Sequence, residues 1–432
     1  MPSMGVPIGD VKDHALRPAE WSHRIVISRL VARRTTRCSN SSLSKCLQIV
    51  HAIGLVAATQ GDRFWQIRLF LGFYCSMQFS NVALVAIESA IPDEIWTSAE
   101  IERRLEPLYR RLKLPEGRLE LMSGVAQRRV WSVGTPPSTP SITTARRAIE
   151  SSGVDPETIG ALIHASVCRD FLEPATATRV HGELGLPESG WVYDVSNACL
   201  GIVNGAVQIA TLIQSGVISA GVVVGTENAR MLLDQTIDHL NRDESLTRKT
   251  VKPAFASLTI GSASAAWVLV HTDLLDRLPA GRSTPAMRIT AASALARTRF
   301  NHLCRSDTDA GASMAPLMDT DSEQLLIEGI ATARDNFESL LNVSGWDRSQ
   351  IDRTVSHQVG SRHRAAMLQT LGLNAHQDSI TFDRLGNTGS AALPVTLHHA
   401  IERGEIQPGH RVAMLGIGSG INSVMLTAEV MT

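Results

Sequence analysis

Three side chains in this sequence have the types needed for thioester chemistry. Cys199 lies in Asp194-Val195-Ser196-Asn197-Ala198-Cys199-Leu200-Gly201, where an apolar run from Trp191 to Val195 gives way to a long apolar segment from Leu200 to Ser215. A thiol placed between a strand and a helix meets unpaired backbone N–H groups and the positive end of the helix dipole. Both favour the thiolate, the nucleophilic form. The competing reading is a small buried hydrophobe. His357 in Ser356-His357-Gln358 and Asn387 in Gly386-Asn387-Thr388-Gly389 stand at corresponding points further along the chain. Both can donate hydrogen bonds to an oxygen that gains negative charge. Taken singly, His357 reads as structural and Asn387 as a helix cap; their matched placement with Cys199 favours a common site.

The elements that must position these groups alternate between β and α. Gly160–Val167, Ala220–Gly225 and Arg411–Gly416 read as buried strands. Residues 143–152, 200–215, 321–342, 362–371 and 391–403 read as helices. Thr97-Ser98-Ala99-Glu100 reads as a capping box for a helix that presents Ile101, Leu105, Leu108 and Leu112 on one face. Such alternation implies parallel sheets covered by helices, an α/β fold.

The pattern also repeats. Val154–Ile159 followed by Ala161-Leu162-Ile163 parallels Trp346–Ile351 followed by Arg353-Thr354-Val355, and each block leads to a Leu-Gly-Leu. Cys199 to Gly216 and Asn387 to Gly404 both span 17 residues. Two similar halves, 77–283 and 284–432, are expected. Ile159 to Gly185 spans 26 residues, whereas Ile351 to Gly372 spans 21. The extra residues are assigned to the loop Cys168–Pro174, and insertions at strand ends commonly serve function.

Residues 1–76 differ, with ten basic against four acidic side chains and two apolar patches, Cys46–Ala58 and Phe64–Cys75. Each patch is shorter than the ~20 residues a bilayer span requires. The segment is expected to be a poorly ordered extension or an over-extended start, with Met77 opening the first strand.

Composition narrows the function. There are 41 basic and 42 acidic side chains and 4% aromatics, which gives no electrostatic or stacking case for nucleic acid. The six cysteines fit neither a zinc pattern nor a disulfide scaffold, so a cytoplasmic protein without a metal is expected. His398 and His399, adjacent on a helix, read as surface residues. Gly416-Ile417-Gly418-Ser419-Gly420 superficially resembles a dinucleotide fingerprint, but no βαβ unit follows it. It reads better as a glycine turn whose N–H groups point into the site beside Cys199.

From Met77 onward the chain resembles the thiolase superfamily, its ketoacyl-ACP synthase III branch, and most closely the OleA-type condensing enzymes of olefin biosynthesis. The motifs are Asp194–Gly201, Ser356–Val359, Gly386–Gly389, Gly416–Asn422, Asn301–Arg305 and the loop Ser166–Thr176 with its Leu172-Glu173-Pro174. The resemblance implies a five-layered αβαβα fold from two duplicated halves and a homodimer. It implies head-to-head, non-decarboxylative Claisen condensation of two fatty acyl-CoA thioesters to a 2-alkyl-3-ketoacyl product.

By that resemblance Cys199 is acylated, and His357 and Asn387 stabilise oxyanion or enolate. The amides of Cys199 and Ser419 form the oxyanion hole. Glu173 is the base that reaches into the partner's site. A condensation without decarboxylation must remove an α-proton, which calls for a carboxylate; burial among Phe171, Leu172 and Pro174 would raise its basicity. Arg128 and Arg129 match an arginine pair near the family's entrance, where guanidinium could meet CoA phosphates; a surface role is the alternative. Met231–Lys252 could wall an acyl channel or form a surface helix. No cofactor is implied beyond CoA itself, nor stable membrane insertion. Downstream olefin-pathway enzymes or an acyl carrier protein are the expected partners. The alternative activity is that of a 3-oxoacyl-ACP synthase III joining acyl-CoA to malonyl-ACP. The chain departs from such initiating synthases after His357-Gln358: Val359 and then Gly360-Ser361-Arg362 follow, where they typically have His-Gln-Ala-Asn.

Overall fold

The computed structural model describes residues 75–306 and 317–432. The expectations for the N-terminal extension fall outside these residues up to position 74. The strands are β1 (Cys75–Gln78), β2 (Val82–Ala90), β3 (Glu94–Thr97), β4 (Gln127–Val130), β5 (Ile159–Ala165), β6 (Trp191–Val195), β7 (Ala220–Glu227), β8 (Ala263–His271), β9 (Met287–Ala296), β10 (Cys304–Ser306), β11 (Met318–Thr320), β12 (Arg353–Ser356), β13 (Asp378–Ser379), β14 (Arg411–Gly418) and β15 (Asn422–Val430). The helices are α1 (Ser98–Arg104), α2 (Glu106–Leu112), α3 (Arg118–Ser123), α4 (Ser138–Ser152), α5 (Thr176–Leu184), α6 (Gly201–Gln214), α7 (Arg230–Arg242), α8 (Lys252–Phe255), α9 (Ser322–Ser344), α10 (Ser361–Leu371), α11 (Phe382–Leu385) and α12 (Ala392–Glu402).

The sheet order is β13-β12-β14-β15-β9-β2-β8-β7-β5-β6, a sequence that reads as two equivalent halves meeting at β9 and β2. In each half one strand is parallel to both neighbours: β5 to β6 and β7, and β12 to β13 and β14. The last pair, β7–β8 or β14–β15, is antiparallel. β1 and β2 share the same edge of β9. The expected first strand is thus split: β1 begins at Cys75, before Met77, and Phe79-Ser80-Asn81 separates it from β2.

The layers follow from strand alternation, since successive side chains point to opposite faces. Val223 of β7 and Met414 of β14 enter an inner core with Ile202, Val203 and Ile209 of α6 and Leu393, Val395 and Leu397 of α12. Val222 and Val224 face α4 and α5 on one outside. Ala413 and Leu415 face α9 and α10 on the other. The order is helix, sheet, helix, sheet, helix. Strands buried on both faces read as unbroken apolar runs, which is why they stand out in the sequence.

A cap made of α1–α3 and α7 packs beside this body around Trp96, Ile101, Leu105, Leu108, Leu233 and Ile237. Thr97 accepts from the Glu100 N–H at 3.0 Å, as its capping signature predicts. The single helix expected there is two helices, because Pro107 starts a new one after Leu105. The lengthened loop is also present: β5 and α5 are joined by residues 166–175, whereas β12 and α10 are joined by 357–360.

Candidate active site

Cys199 sits two residues before the first helical residue of α6. Ala198 before it has φ 44°, a left-handed conformation unfavourable for a side chain with a Cβ, and this turn presents the thiol. The Asp194 carboxylate accepts from the Thr176 and Ala177 N–H groups at 2.9 and 2.8 Å, tying the end of β6 to the start of α5.

β14 rises against this turn. A Cβ on Gly418 would lie 3.3 Å from the Cys199 backbone nitrogen, and one on Gly416 would lie 2.8 Å from Leu200 Cδ2. Glycine is required for that approach. Ser419 follows on the cavity wall, as the glycine-turn reading expects.

Asn387 is held from both sides. Its N–H donates to Thr259 O at 2.9 Å, and its carbonyl accepts from Gly261 N at 2.9 Å. Its side-chain Oδ1 accepts from Gly389 N at 3.0 Å. The amide NH₂ is therefore the free end, and Asn387 lines the cavity with Cys199. The cap role and the donor role belong to opposite ends of one side chain. Gly261 permits the contact, since a Cβ there would lie 1.9 Å from Leu385 O. His357 follows β12, is 4% exposed, and has an unpartnered buried Nδ1.

Cys199, His357, Asn387 and Ser419 line one cavity of about 1420 Å³. That exceeds the roughly 300–1,000 Å³ of ordinary small-molecule sites. Leu114, Leu119 and Met122 from the cap and Leu325 and Leu326 from α9 supply apolar wall. Within the Met231–Lys252 segment, Met231 and Leu232 line the cavity, while Leu233, Ile237 and Leu240 are cap core.

Electrostatics correct the sequence reading of the thiol. Burial, then the Glu227 carboxylate, then Cys304, push Cys199 up to about 12, against the lowering effect of its own N–H and Asn387. The resting group is a neutral thiol, because the low-dielectric surroundings outweigh the helix terminus. Burial, assisted by His363, pushes His357 down to about 3, so it is a neutral imidazole. A neutral imidazole can accept the thiol proton as the sulfur attacks.

Three further expectations are corrected. Arg128 is fully buried and does not line the cavity; it donates to Trp96 O at 3.2 Å and Ser98 Oγ at 3.1 Å. It braces the cap, and its Cβ lies where Cβ atoms on Gly261 and Gly386 would meet it. Arg129 is spent on Pro92 O and Asp93 O at 3.1 and 3.3 Å. The exposed cations that do line the cavity are Arg169, Arg248, Lys249, Lys252 and Arg362, of which Arg248 is held by Leu112 O and Lys113 O at 2.7 Å each.

Glu173 is exposed and not part of the cavity, and Phe171 and Leu172 are 62% and 77% exposed. The expected burial of that loop is not met within one chain. Its base is nevertheless fixed: Asp170 accepts from Ser138 N at 2.9 Å and pairs with Arg179 at 3.2 Å. His398 is buried rather than superficial, with Nδ1 2.8 Å from Ser89 Oγ, because α12 lies in the inner layer.

Glu227, Cys168, Cys304 and His363 also line the cavity and were missed. Cys168 and Cys304 lie within motifs already singled out, and Glu227 ends the strand equivalent to β14, so position was the available signal.

A duplicated α/β body with cysteine on one half and histidine and asparagine on the other defines a thiolase-fold condensing enzyme. The sequence family of the 3-oxoacyl-[acyl-carrier-protein] synthase III C-terminal region matches residues 341–428. An acyl-CoA:acyl-CoA alkyltransferase from Shewanella oneidensis is 36% identical over 352 residues, spanning 81% of this chain and 99% of the relative. That of Xanthomonas campestris is 34% identical over 349 residues, spanning 81% and 98%. The crystal structure of cerulenin-bound Xanthomonas campestris OleA superposes with a TM-score of 0.75 at 33% identity, over 82% of this chain and 98% of that one. The chain belongs to the OleA, or acyl-CoA:acyl-CoA alkyltransferase, family of the thiolase superfamily.

Proposed function

We propose that this protein joins two fatty acyl-CoA molecules head to head. The observation that carries the reading is the convergence of Cys199, His357 and Asn387 on a cavity of about 1420 Å³.

The Cys199 sulfur attacks the thioester carbonyl of the first acyl-CoA while neutral His357 takes the thiol proton. The Asn387 amide and the N–H groups of Cys199 and Ser419 hold the oxyanion. The C–S bond to CoA breaks, CoA leaves with the proton, and an acyl-Cys199 remains. Glu173 then removes the α-proton of a second acyl-CoA. The enolate carbon attacks the acyl-Cys199 carbonyl, and the Cys199 thiolate leaves and is reprotonated. The product is a 2-alkyl-3-ketoacyl-CoA thioester, released as such or, after water attacks its thioester carbonyl and CoA leaves, as the β-keto acid. Every step is an acyl or proton transfer, so the reading calls for no metal or redox cofactor. Arg169, Lys249, Lys252 and Arg362 replace Arg128 and Arg129 as the groups that meet CoA phosphates.

The reading includes a homodimer, in which Glu173 serves the partner's cavity. It is supported by β6, which ends the sheet with Trp191 56% exposed, and by the exposed apolar tip Phe171-Leu172 beside Glu173. It also includes a cytoplasmic location, in keeping with free thiols at Cys168, Cys199 and Cys304. Among the described residues no helix is long and apolar enough to cross a membrane. Enzymes that consume β-keto acids are the partners this chemistry calls for.

The test is mass spectrometry of the full chain with tetradecanoyl-CoA alone. Free CoA together with a β-keto acid, or the ketone it yields, supports the reading. Acyl-Cys199 that persists until malonyl-ACP is added would make the protein a chain-initiating synthase instead.

A further inference from the structure

Glu227 is a carboxylate inside the reaction cavity to which the mechanism above gives no part. It ends β7 and is 3% exposed. Its Oε1 accepts from Ser390 N at 3.2 Å and Val167 N at 3.4 Å, and it meets Ser390 Oγ. Ser390 lies in the turn Gly389–Ala391 that follows Asn387, and Val167 is the second residue of the loop 166–175 that carries Glu173. The Ser390 hydroxyl also reaches Ala165 O at 3.0 Å, at the end of β5. Cys168, next to Val167, accepts from Asn228 N at 3.4 Å, which ties the same loop to the residue after Glu227. Gly389 allows the approach, since a Cβ there would lie 3.0 Å from Glu227 Cδ. One side chain thus joins three of the segments that surround Cys199.

Carboxylates are rarely buried without a strong reason. An apolar residue at this position would pack without desolvating a charge, but it would leave the Ser390 and Val167 N–H groups without an acceptor.

We propose that Glu227 is a positioning residue of this active site: it holds the Asn387 turn and the Glu173 loop in register around Cys199 and places a carboxyl group in the cavity that holds the thiol. The proposal rests on the condensation reading for its kinetic consequence, but its charge consequence is read on the thiol alone. Glu227 from β7, Cys168 from the loop after β5, Cys304 from β10, His357 after β12, His363 from α10 and Asn387 line the cavity with Cys199. A carboxylate beside a thiol disfavours thiolate. Glu227 thus adds to burial, the larger cause, in disfavouring the Cys199 thiolate.

The experiment compares Glu227→Gln and Glu227→Ala in the full chain. Gln keeps an oxygen for the Ser390 and Val167 N–H groups and removes the charge; Ala removes both. Alkylation of Cys199 by iodoacetamide at pH 8, followed on the Cys199 peptide by mass spectrometry, should be about tenfold faster in E227Q than in the wild type. Condensation of tetradecanoyl-CoA should lose about 10²-fold in kcat in E227A with KM little changed, as for a misplaced reactive group. E227Q should recover most of that loss.

Unchanged or slower alkylation in E227Q overturns the charge role. Equal loss in E227Q and E227A overturns positioning, because a group that hydrogen-bonds as well without its charge should rescue. A wild-type protein that makes no condensation product overturns the reaction assigned above, and the alkylation rates then decide Glu227 by themselves.

Discussion

Gly418 approaches Cys199 so closely that a Cβ on it would stand 3.3 Å from the cysteine backbone nitrogen. The strand that brings in Ser419 and the turn that bears the thiol are therefore spaced by a missing side chain. Gly418→Val should push these two segments apart and misalign the Cys199 and Ser419 N–H groups. Losing an oxyanion donor costs about 10²–10³ in rate. Acylation of Cys199 by tetradecanoyl-CoA, timed by mass spectrometry, should slow by about 10²-fold. Acylation at the wild-type rate would show that those amides do not serve the oxyanion.

Glu173 and Cys199 belong to different surroundings in one chain, the first exposed and the second in the cavity. Cys199→Ala and Glu173→Ala proteins should each be inactive in condensation, and E173A should still form acyl-Cys199. When the two are coexpressed, about a quarter of wild-type activity should return, because half the dimers are mixed and each carries one complete site. No recovery in isolated mixed dimers would place the base within its own subunit.

Arg128 and the cavity cations should separate cleanly. Arg128→Met should lower thermal stability, since it leaves Trp96 O and Ser98 Oγ without their donor, and should do little to KM. Reversing Lys249, Lys252 and Arg362 to Glu should raise KM for acyl-CoA, more at low salt than at high salt. A large KM change in R128M with stability intact would return that residue to the substrate site.

Buried histidines give the fold an acid weakness. Burial is the main cause that holds His357 near 3 and His363 and His164 near 4. An unfolded histidine titrates near 6.5. Between those values the unfolded chain binds protons that the native chain refuses, so stability is full above about pH 6.5 and is lost as pH falls below it. Each such group contributes about 1.4 kcal/mol per pH unit in that window. Glu227 and Asp378, raised by burial, act in the opposite sense, but His398 and His399, also lowered by burial, add to the three histidines. The urea midpoint should therefore drop from pH 7 to pH 5.5. A flat or rising midpoint would mean that these rings are protonated in the native state.

The same feature explains what was legible in the sequence. Strands buried on both faces announce themselves as apolar runs, and repeated spacing exposes the duplication, so Cys199, His357 and Asn387 could be paired by position alone. What depends on surroundings could not be read. Arg128 looks like a surface guanidinium until Trp96 and Ser98 fold over it. His398 looks exposed until α12 is seen between the sheets. The thiol looks activated by a helix terminus until burial and Glu227 are counted. Glu173 looks buried because its neighbours are apolar, yet within the chain those neighbours point outward.

The thiol and the amide are carried at the beginnings of α6 and of the segment leading into α12. These beginnings meet where a Cβ on Gly201 would lie 3.2 Å from Ser390 Cβ. Both helices lie in the innermost layer, whereas the cap and α9 supply apolar wall from the periphery. Mutation can thus remodel the chamber's length and width without disturbing the distance between nucleophile and donor. Evolution has here a fixed reaction centre and an adjustable mould, and diversification of the acyl chains accepted need not detune the bond-forming step.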